Sequence, residues 1–266
     1  MTSAQQEAIL QQAARDRSGL FRLVAVITAV CVAALAIAGF FDAQRFIDGM
    51  PAIAQLASEM VPPDFSRWPH WLRPLLDTLA MSIAGTALAL ILSLPLALLA
   101  APNTSPAAMI YRFARTALAA LRSVPEIIFG VLLVAAVGFG ALPGVLALAL
   151  HSTGMMAKFY AEAIEHVDPR PMEAATAAGA SRLQVIIHAV LPQVLPQLAD
   201  ITIYRWEYHF RASAVLGIVG AGGIGFELMA ALRLIRYDQV SAILITILAC
   251  VVAVDALGAW LRRRLK

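Results

Sequence analysis

Between residues 20 and 41 the only charged side chain is Arg22, and runs of similar apolarity recur as far as residue 261. A helix needs about 20 consecutive apolar residues to cross the hydrocarbon core of a bilayer. In lipid the backbone must satisfy its own hydrogen bonds, which a helix does within each segment. The chain therefore reads as an all-α integral membrane protein. Its 266 residues are long enough for one or two soluble domains, but 61% of them are hydrophobic and only 14% charged. That balance lies well outside the soluble range. The net charge of +3 is small and gathers at helix ends, which argues for membrane orientation and against nucleic-acid binding. Cys31 and Cys250 each sit inside an apolar run, so no disulfide framework, metal site or cofactor is expected.

About six transmembrane helices are expected, over residues 20–41, 75–101, 118–138, 142–164, 185–204 and 240–261. Residues 1–19 form a polar, amphipathic N-terminal segment, and 42–74 an extracytoplasmic loop in which Trp68 and Trp71 act as interfacial anchors. The basic start, apolar stretch and Ala36-Ile37-Ala38 also resemble a cleaved secretory signal. The stretch exceeds the roughly 7–15 residues of a signal core, so a retained first helix is expected. With both termini inside, cytoplasmic segments hold Arg15, Arg17, Arg22, Arg112, Arg115, Arg170, Arg182, Arg262, Arg263, Arg264 and Lys266. Outer segments then hold fewer basic residues: Arg45, Arg67, Arg73, Arg211, Arg233 and Arg236. This orientation makes 262–266 a cytoplasmic tail and places residues 168–184 on the cytoplasmic side.

Those residues are unusual for a membrane protein. Asp168-Pro169-Arg170-Pro171 is a rigid helix entry, Met172 to Ala178 continue it, and Gly179 permits a turn at positive φ. Ala180-Ser181-Arg182 then starts the next helix. The result is a short, small-residue helix across the membrane mouth, suited to close approach by a soluble partner. An ordinary alanine-rich connector is the plainer reading.

Glu173-Ala174-Ala175, Gly179 and Leu191-Pro192 stand at the spacing of the signature loop of ABC-importer permeases, which this stretch resembles. The loop's usual Ile is replaced by Ala189. Three further stretches are similar to permeases of the phosphonate, phosphite and hypophosphite uptake type. They are Leu121-Arg122-Ser123-Val124-Pro125-Glu126, His151-Ser152-Thr153-Gly154-Met155, and the run 211–225 from Arg211-Ala212-Ser213 to Gly222-Gly223-Ile224-Gly225. The resemblance covers roughly residues 75–260.

It implies a MetI-like permease core over 75–261, with a coupling helix and a second permease copy, expected to be identical, across a translocation pathway. The coupling residues would be Glu173, Ala174, Ala175, Gly179 and Pro192. It implies a dimeric cytoplasmic ATP-binding subunit that grips this loop, an external substrate-binding protein, and residence in the inner membrane among lipid. Consistent with ATP chemistry lying elsewhere, Gly-x-x-x-x-Gly-Lys-Ser/Thr does not occur in the chain.

Candidate pathway or substrate residues follow from ionisable groups at membrane depth, which are costly and default to function. Arg122 and Glu126, one turn apart, can neutralise each other as a gate or as a structural pair. Ser123 lies between them. His151 either lines the pathway or is a satisfied core histidine. Arg205, Glu207 and Arg211 stand where the fifth span is expected to end. Glu207 matches an acidic position of the resembled family, whereas His209 replaces a more usual amide. Arg211 faces the anion's route or the outer interface. Gly220, Gly222 and Gly223 offer backbone N–H groups to an oxyanion, or simply pack closely. Lys158 and Glu162 form a helix pair, and Asp255 has no evident partner.

The function expected is thus a permease passing a small phosphorus oxyanion inward. An intramembrane enzyme would call for His-Glu-x-x-His or Gly-x-Ser-x-Gly, and neither occurs. A secondary transporter would show repeated halves and a polar midplane site, and would leave the cytoplasmic loop unused.

Overall fold

A computed structural model describes the backbone of residues 3–265 and the side chains of Arg17 and residues 19–264. All regular elements among the described residues are helical. The chain divides into two compact units, Met1–Ser58 and Glu59–Lys266.

The first unit holds α1 (Ser3–Ile37) and most of α2 (Ala43–Glu59). Its span Gly19–Ile37 buries none of its residues. Gly39 turns the chain at φ +76°, and the Asp42 carboxylate then accepts the Arg45 N–H at 3.3 Å to cap α2. The 42–74 interval is therefore no simple loop: a 17-residue helix occupies its first half. Phe46, Ile47, Met50 and Ile53 recur at helical spacing on α2, a period that a loop reading overlooks. The amphipathic reading of residues 1–19 rests largely on side chains outside the described residues, as do Arg15 and Lys266.

The second unit is built on α3 (Trp68–Ala100) and α6 (Ala141–Glu165). These two make the most extensive helix contact among the described residues. Small residues allow it: a Cβ on Gly85 would lie 3.0 Å from Leu148 Cβ, and one on Gly144 only 2.7 Å from the Met81 sulfur. Around this pair stand α4 (Ala108–Ser123), α5 (Glu126–Val137) and α9 (Leu191–Leu216), with α11 (Tyr237–Leu265) against α9. Short helices α7 (Pro169–Ala177) and α8 (Arg182–Val185) precede α9, and α10 (Ile224–Arg233) follows it. Ile186–Val190, before α9, is wound as π-helix, and Gly217–Ala221, after it, is kinked at Gly220, whose φ is +101°.

Three apolar layers stack along α3. Trp71 anchors the first with Ile224, Val240 and Ile243. Met81, Leu148 and Leu216 fill the second, and Ala89, Ala97, Met156 and Tyr160 the third. Trp71 is only 2% exposed, so it is a core residue and not the interfacial anchor expected of it. Trp68 stays exposed.

Four helical stretches are long and apolar enough to span: Gly19–Ile37, Trp68–Ala100, Arg182–Ala221 and Tyr237–Arg264. The expected third span is instead α4 and α5, joined at an 82° bend, and makes a fifth if counted as one crossing. Pro125 explains the break, because it lacks an N–H and restricts the residue before it. The expected fourth span corresponds to α6, whose length of about 37 Å exceeds the hydrocarbon core. Its composition is less apolar because α3, α4, α5 and α9 shield it. The second span starts at Trp68, and the fifth runs well past Tyr204 through Leu216.

Candidate functional site

The segment 168–192 folds as its local code directs. Asp168 caps α7 by accepting the Arg170 N–H at 3.0 Å, and Pro169 fills the first helical position. The Arg170 guanidinium on that carboxylate, followed by the Arg170 backbone N–H, holds Asp168 below the usual aspartate range. Gly179 closes the helix at φ +84°, and Ser181 with Gln184 forms a reciprocal capping box for α8. None of the α7 residues is buried. A cavity of about 750 Å³ beside it is lined by Asn103, Glu165, Val167, Met172, Glu173 and Thr176, among others.

Gln193, one residue past Pro192, ties this helix to α9. Its Oε1 accepts the Asp168 N–H at 3.0 Å, and its Nε2 donates to the Ala189 carbonyl at 2.6 Å. Asn103 donates to the Ile164 carbonyl at 2.6 Å, and Arg115 pairs with Glu165. These bonds tie the end of α6 to the segment after α3 and to α4.

A second polar assembly lies between α3, α5, α6 and α9. Arg205 Nη2 donates to Ser152 Oγ at 2.5 Å, and Ser152 meets His209 Nε2. His209 Nδ1 lies 2.7 Å from Thr86 Oγ1, whose own hydrogen goes to the Ser82 carbonyl at 2.6 Å. One assignment gives every hydrogen bond of this chain a donor and an acceptor. The neutral Nδ1–H tautomer donates to Thr86, Nε2 accepts from Ser152, and Ser152 accepts from Arg205. Beside this chain the Tyr208 ring lies 4.3 Å under the Arg205 guanidinium, and its hydroxyl donates to Glu126. His151 Nε2 stands 3.6 Å from the other Glu126 oxygen, while its Nδ1 donates to the Val124 carbonyl at 3.0 Å.

Along α9, Gln197, Asp200, Tyr204, Tyr208 and Arg211 share one face at helical spacing, and none of them is buried. A spanning helix cannot turn such a stripe to hydrocarbon, because unpaired polar groups there are costly. The stripe suits an aqueous route or a second protein surface. Two of its members meet α11: Arg211 pairs with Asp255 at 2.9 Å, and Asp200 lies 3.9 Å from Arg262, which also holds Glu207 at 2.7 Å.

These positions revise several expectations. Arg122 and Glu126 do not pair: the bend at Pro125 removes the helical geometry that an i, i+4 contact needs. Arg122 instead donates to the Leu118 carbonyl at 3.3 Å, and Ser123 to the Ala120 carbonyl at 2.8 Å. Glu126 and His151 do come together, with Tyr208. Glu207 and Arg211 belong to the interior of α9, not to its end, and each finds its counter-charge on α11. Asp255 thereby gains the partner that the sequence does not reveal. Gly220 accepts the Gly140 N–H at 3.2 Å, and Thr78 accepts the Ile224 N–H at 2.9 Å. A Cβ on Gly223 would lie 2.4 Å from Thr78 Oγ1. That geometry suits close packing better than an open anion cradle.

Sequence reasoning overlooks Ser152, Tyr208 and the central place of Arg205. The available signal was an arginine within reach of an apolar span.

Residues 93–266 match the family of binding-protein-dependent transport system inner membrane components. The chain is 60% identical over 243 residues to the phosphite transport system permease protein PtxC of Stutzerimonas stutzeri, covering 91% of this chain and 88% of that protein. It is 41% identical over 252 residues to the phosphate-import permease protein PhnE of Mycolicibacterium smegmatis, covering 94% of this chain and 47% of that one. Among solved structures it is similar to the inward-facing MetNI methionine ABC transporter, with a TM-score of 0.67 at 23% identity, over 76% of this chain and 99% of that one. A bacterial alginate ABC transporter, in complex with an alginate pentasaccharide-bound periplasmic protein, matches at a TM-score of 0.61 and 15% identity, over 87% of this chain and 96% of that one. The chain belongs to the binding-protein-dependent transport system inner membrane components: it is a MetI-like permease subunit of an ABC importer, which works with a substrate-binding protein and leaves ATP hydrolysis to a separate subunit.

Proposed function

We propose that this permease passes phosphite, or a closely similar phosphorus oxyanion such as a phosphonate or hypophosphite, inward across the membrane. The observation that carries this reading is the 60% identity to a phosphite transport permease over nine-tenths of the chain. The loop 168–184 docks in a cleft of the ATP-binding subunit through Glu173, Ala174, Ala175 and Gly179. Exposure of Glu173, Ala174 and Gly179, with Met172 half-buried against the core as an anchor, supports this assignment, as does the tie of α7 to the start of α9 near Pro192 through Gln193. Both termini are cytoplasmic, and Arg262, Arg263 and Arg264 mark the inner end of α11.

Two identical copies pair across the pathway within the lipid bilayer. The polar stripe of α9, with Glu126 and His151 nearby, supports a wetted wall there, and Glu207 and Arg211 brace it. Arg122, Ser123, Gly220, Gly222 and Gly223 serve this wall indirectly, by holding the bend at Pro125 and the close packing after α9.

The test is uptake by cells that lack their own phosphite importer and express this chain with its ATP-binding and substrate-binding partners. Phosphite accumulation is expected, and Gly179→Asp or Glu173→Arg should abolish it while the permease still reaches the membrane. Undiminished uptake in both variants would refute the coupling assignment. Accumulation of phosphate without phosphite would move the substrate to that anion.

A further inference from the structure

We propose that Arg205 is the cation that receives the oxyanion in transit, and that Tyr208 and Glu126 form a movable cover over it. The inference rests on the reading of this chain as an oxyanion permease and names the residue at which that route discriminates charge.

The Arg205 side chain lacks what its neighbours have. Arg115, Arg170, Arg211 and Arg262 each pair with a carboxylate. Arg205 is only 4% exposed, and no carboxylate pairs with it among the described residues. Its fixed contacts are neutral: the Ser152 hydroxyl and the face of the Tyr208 ring. Its Nε is buried with no hydrogen-bond partner. A buried guanidinium is costly unless it is paired and hydrogen-bonded. This side chain therefore carries both an unused donor and an unanswered charge.

The cover accounts for both. Glu126 is the acid nearest this centre, but the Tyr208 hydroxyl engages it and the Tyr208 ring stands against the guanidinium. Tyr208 also belongs to the polar stripe on the open face of α9. Swinging its ring toward that face uncovers Arg205 from the side of the proposed route. An oxyanion entering there supplies the acceptor that Nε lacks and the counter-charge that burial demands. Several oxygens on one phosphorus suit the planar fork of a guanidinium better than the single point charge of an ammonium. Glu126, left 3.6 Å from His151, keeps a negative charge at the entrance and opposes a second anion. An inorganic cation finds the reverse arrangement, with the buried centre repelling it.

The experiment uses the complete transporter, with its ATP-binding and substrate-binding partners, reconstituted in lipid vesicles. Phosphite imported and ATP hydrolysed are measured in the same sample. Arg205→Met is expected to assemble and hydrolyse ATP within about twofold of wild type, while phosphite imported per ATP falls about tenfold or more. Arg205→Lys should recover part of that ratio, since it restores the charge without the fork. Tyr208→Phe, which keeps the ring and loses the bond to Glu126, should shift the ratio about threefold. A parallel fall of import and hydrolysis in Arg205→Met would overturn the proposal by making Arg205 a structural brace. So would a wild-type ratio in that variant. Should the Arg205→Met complex fail to assemble, Tyr208→Phe decides, and an unchanged ratio there overturns the proposal. Wild-type vesicles that import no phosphite would refute the substrate reading instead, which keeps the two failures apart.

Discussion

The Glu207 carboxylate of α9 occupies the space that a side chain at Gly258 of α11 would fill: a Cβ there would lie 1.9 Å from Glu207 Oε1. Arg262, one turn further along α11, closes the pair at 2.7 Å. The glycine lets the two helices approach closely enough for a buried acid on one to reach a cation on the other. Gly258→Ala should therefore lower the thermal stability of the purified permease by about 1–3 kcal/mol, the usual cost of overpacking. Arg262→Met should cost more, about 3–5 kcal/mol, because it strands a buried carboxylate. Adding Glu207→Gln to Arg262→Met should recover much of that loss. Thermal unfolding in detergent, run on wild type and the three variants, checks the order.

The donor chain from Arg205 to Ser82 predicts a direction-dependent penalty. Ser152→Ala removes the acceptor of Arg205 and the donor of His209 at once, leaving two buried groups unsatisfied. A loss of about 1–3 kcal/mol for each is expected. Ser152→Thr keeps the hydroxyl and should be milder. Equal stability of the Ala variant and wild type in the same unfolding assay would disprove this hydrogen-bond chain.

At Gly179 the backbone sits at φ +84° with open space where a Cβ would point. Substitution there costs backbone strain alone, about 1–2 kcal/mol, with no steric clash. Gly179→Ala should therefore insert and fold normally yet retain the ATP-binding subunit less well on copurification. Gly179→Asn, which tolerates this conformation better, should be milder. Full retention by Gly179→Ala would show that the turn is not under conformational demand.

The Asp168 cap of the proposed coupling helix should stay ionised across the physiological pH range. The Arg170 contact holds its carboxylate below the usual aspartate value near 3.9. The cap is thus fully present above that value and fails only as pH falls through the lower, folded value. The rate of ATP-driven uptake should show no inflection attributable to Asp168 between about pH 5 and 8. Asp168→Ala should weaken coupling at every pH in that window, as read by ATP hydrolysed per anion imported. Wild-type coupling in that variant would remove the cap from the mechanism.

Much of this architecture is legible in the sequence because it is encoded locally. Asp168-Pro169, Gly179 and Ser181-x-x-Gln184 are self-contained start and stop signals, and the structure uses each as such. The break at Pro125 carries an equally local signal, yet apolar residues on both sides invite a reading straight through it. The α2 helix is disguised for a related reason: Pro51 and scattered charges make an amphipathic period resemble a loop.

The polar centre between the helices is a different case. Ser82, Thr86, Glu126, Ser152, Arg205 and His209 come from α3, α5, α6 and α9, and none points to another in sequence. Arg205, Glu207 and Arg211 together read as the end of a span, because charges usually mark the interface. They sit inside the helix because α11 supplies Arg262 and Asp255 and α6 supplies Ser152. Only the fold reveals such answers. The same holds for Asp255, whose partner lies 44 positions away.

The two ends of α9 are interrupted in different ways: Ile186–Val190 is a five-residue π turn, whereas Gly217–Ala221 is kinked at Gly220, whose φ is +101°. The regular rod between them is about 39 Å long. Each interruption is a local departure from the regular ladder and is less well braced than the α-helix it adjoins. Were the coupling loop to push at Gln193, these two loosened ends would take up a twist of the rod, against the restraint of its ion pairs to α11. A few degrees of such torsion would re-aim every side chain on its polar face together.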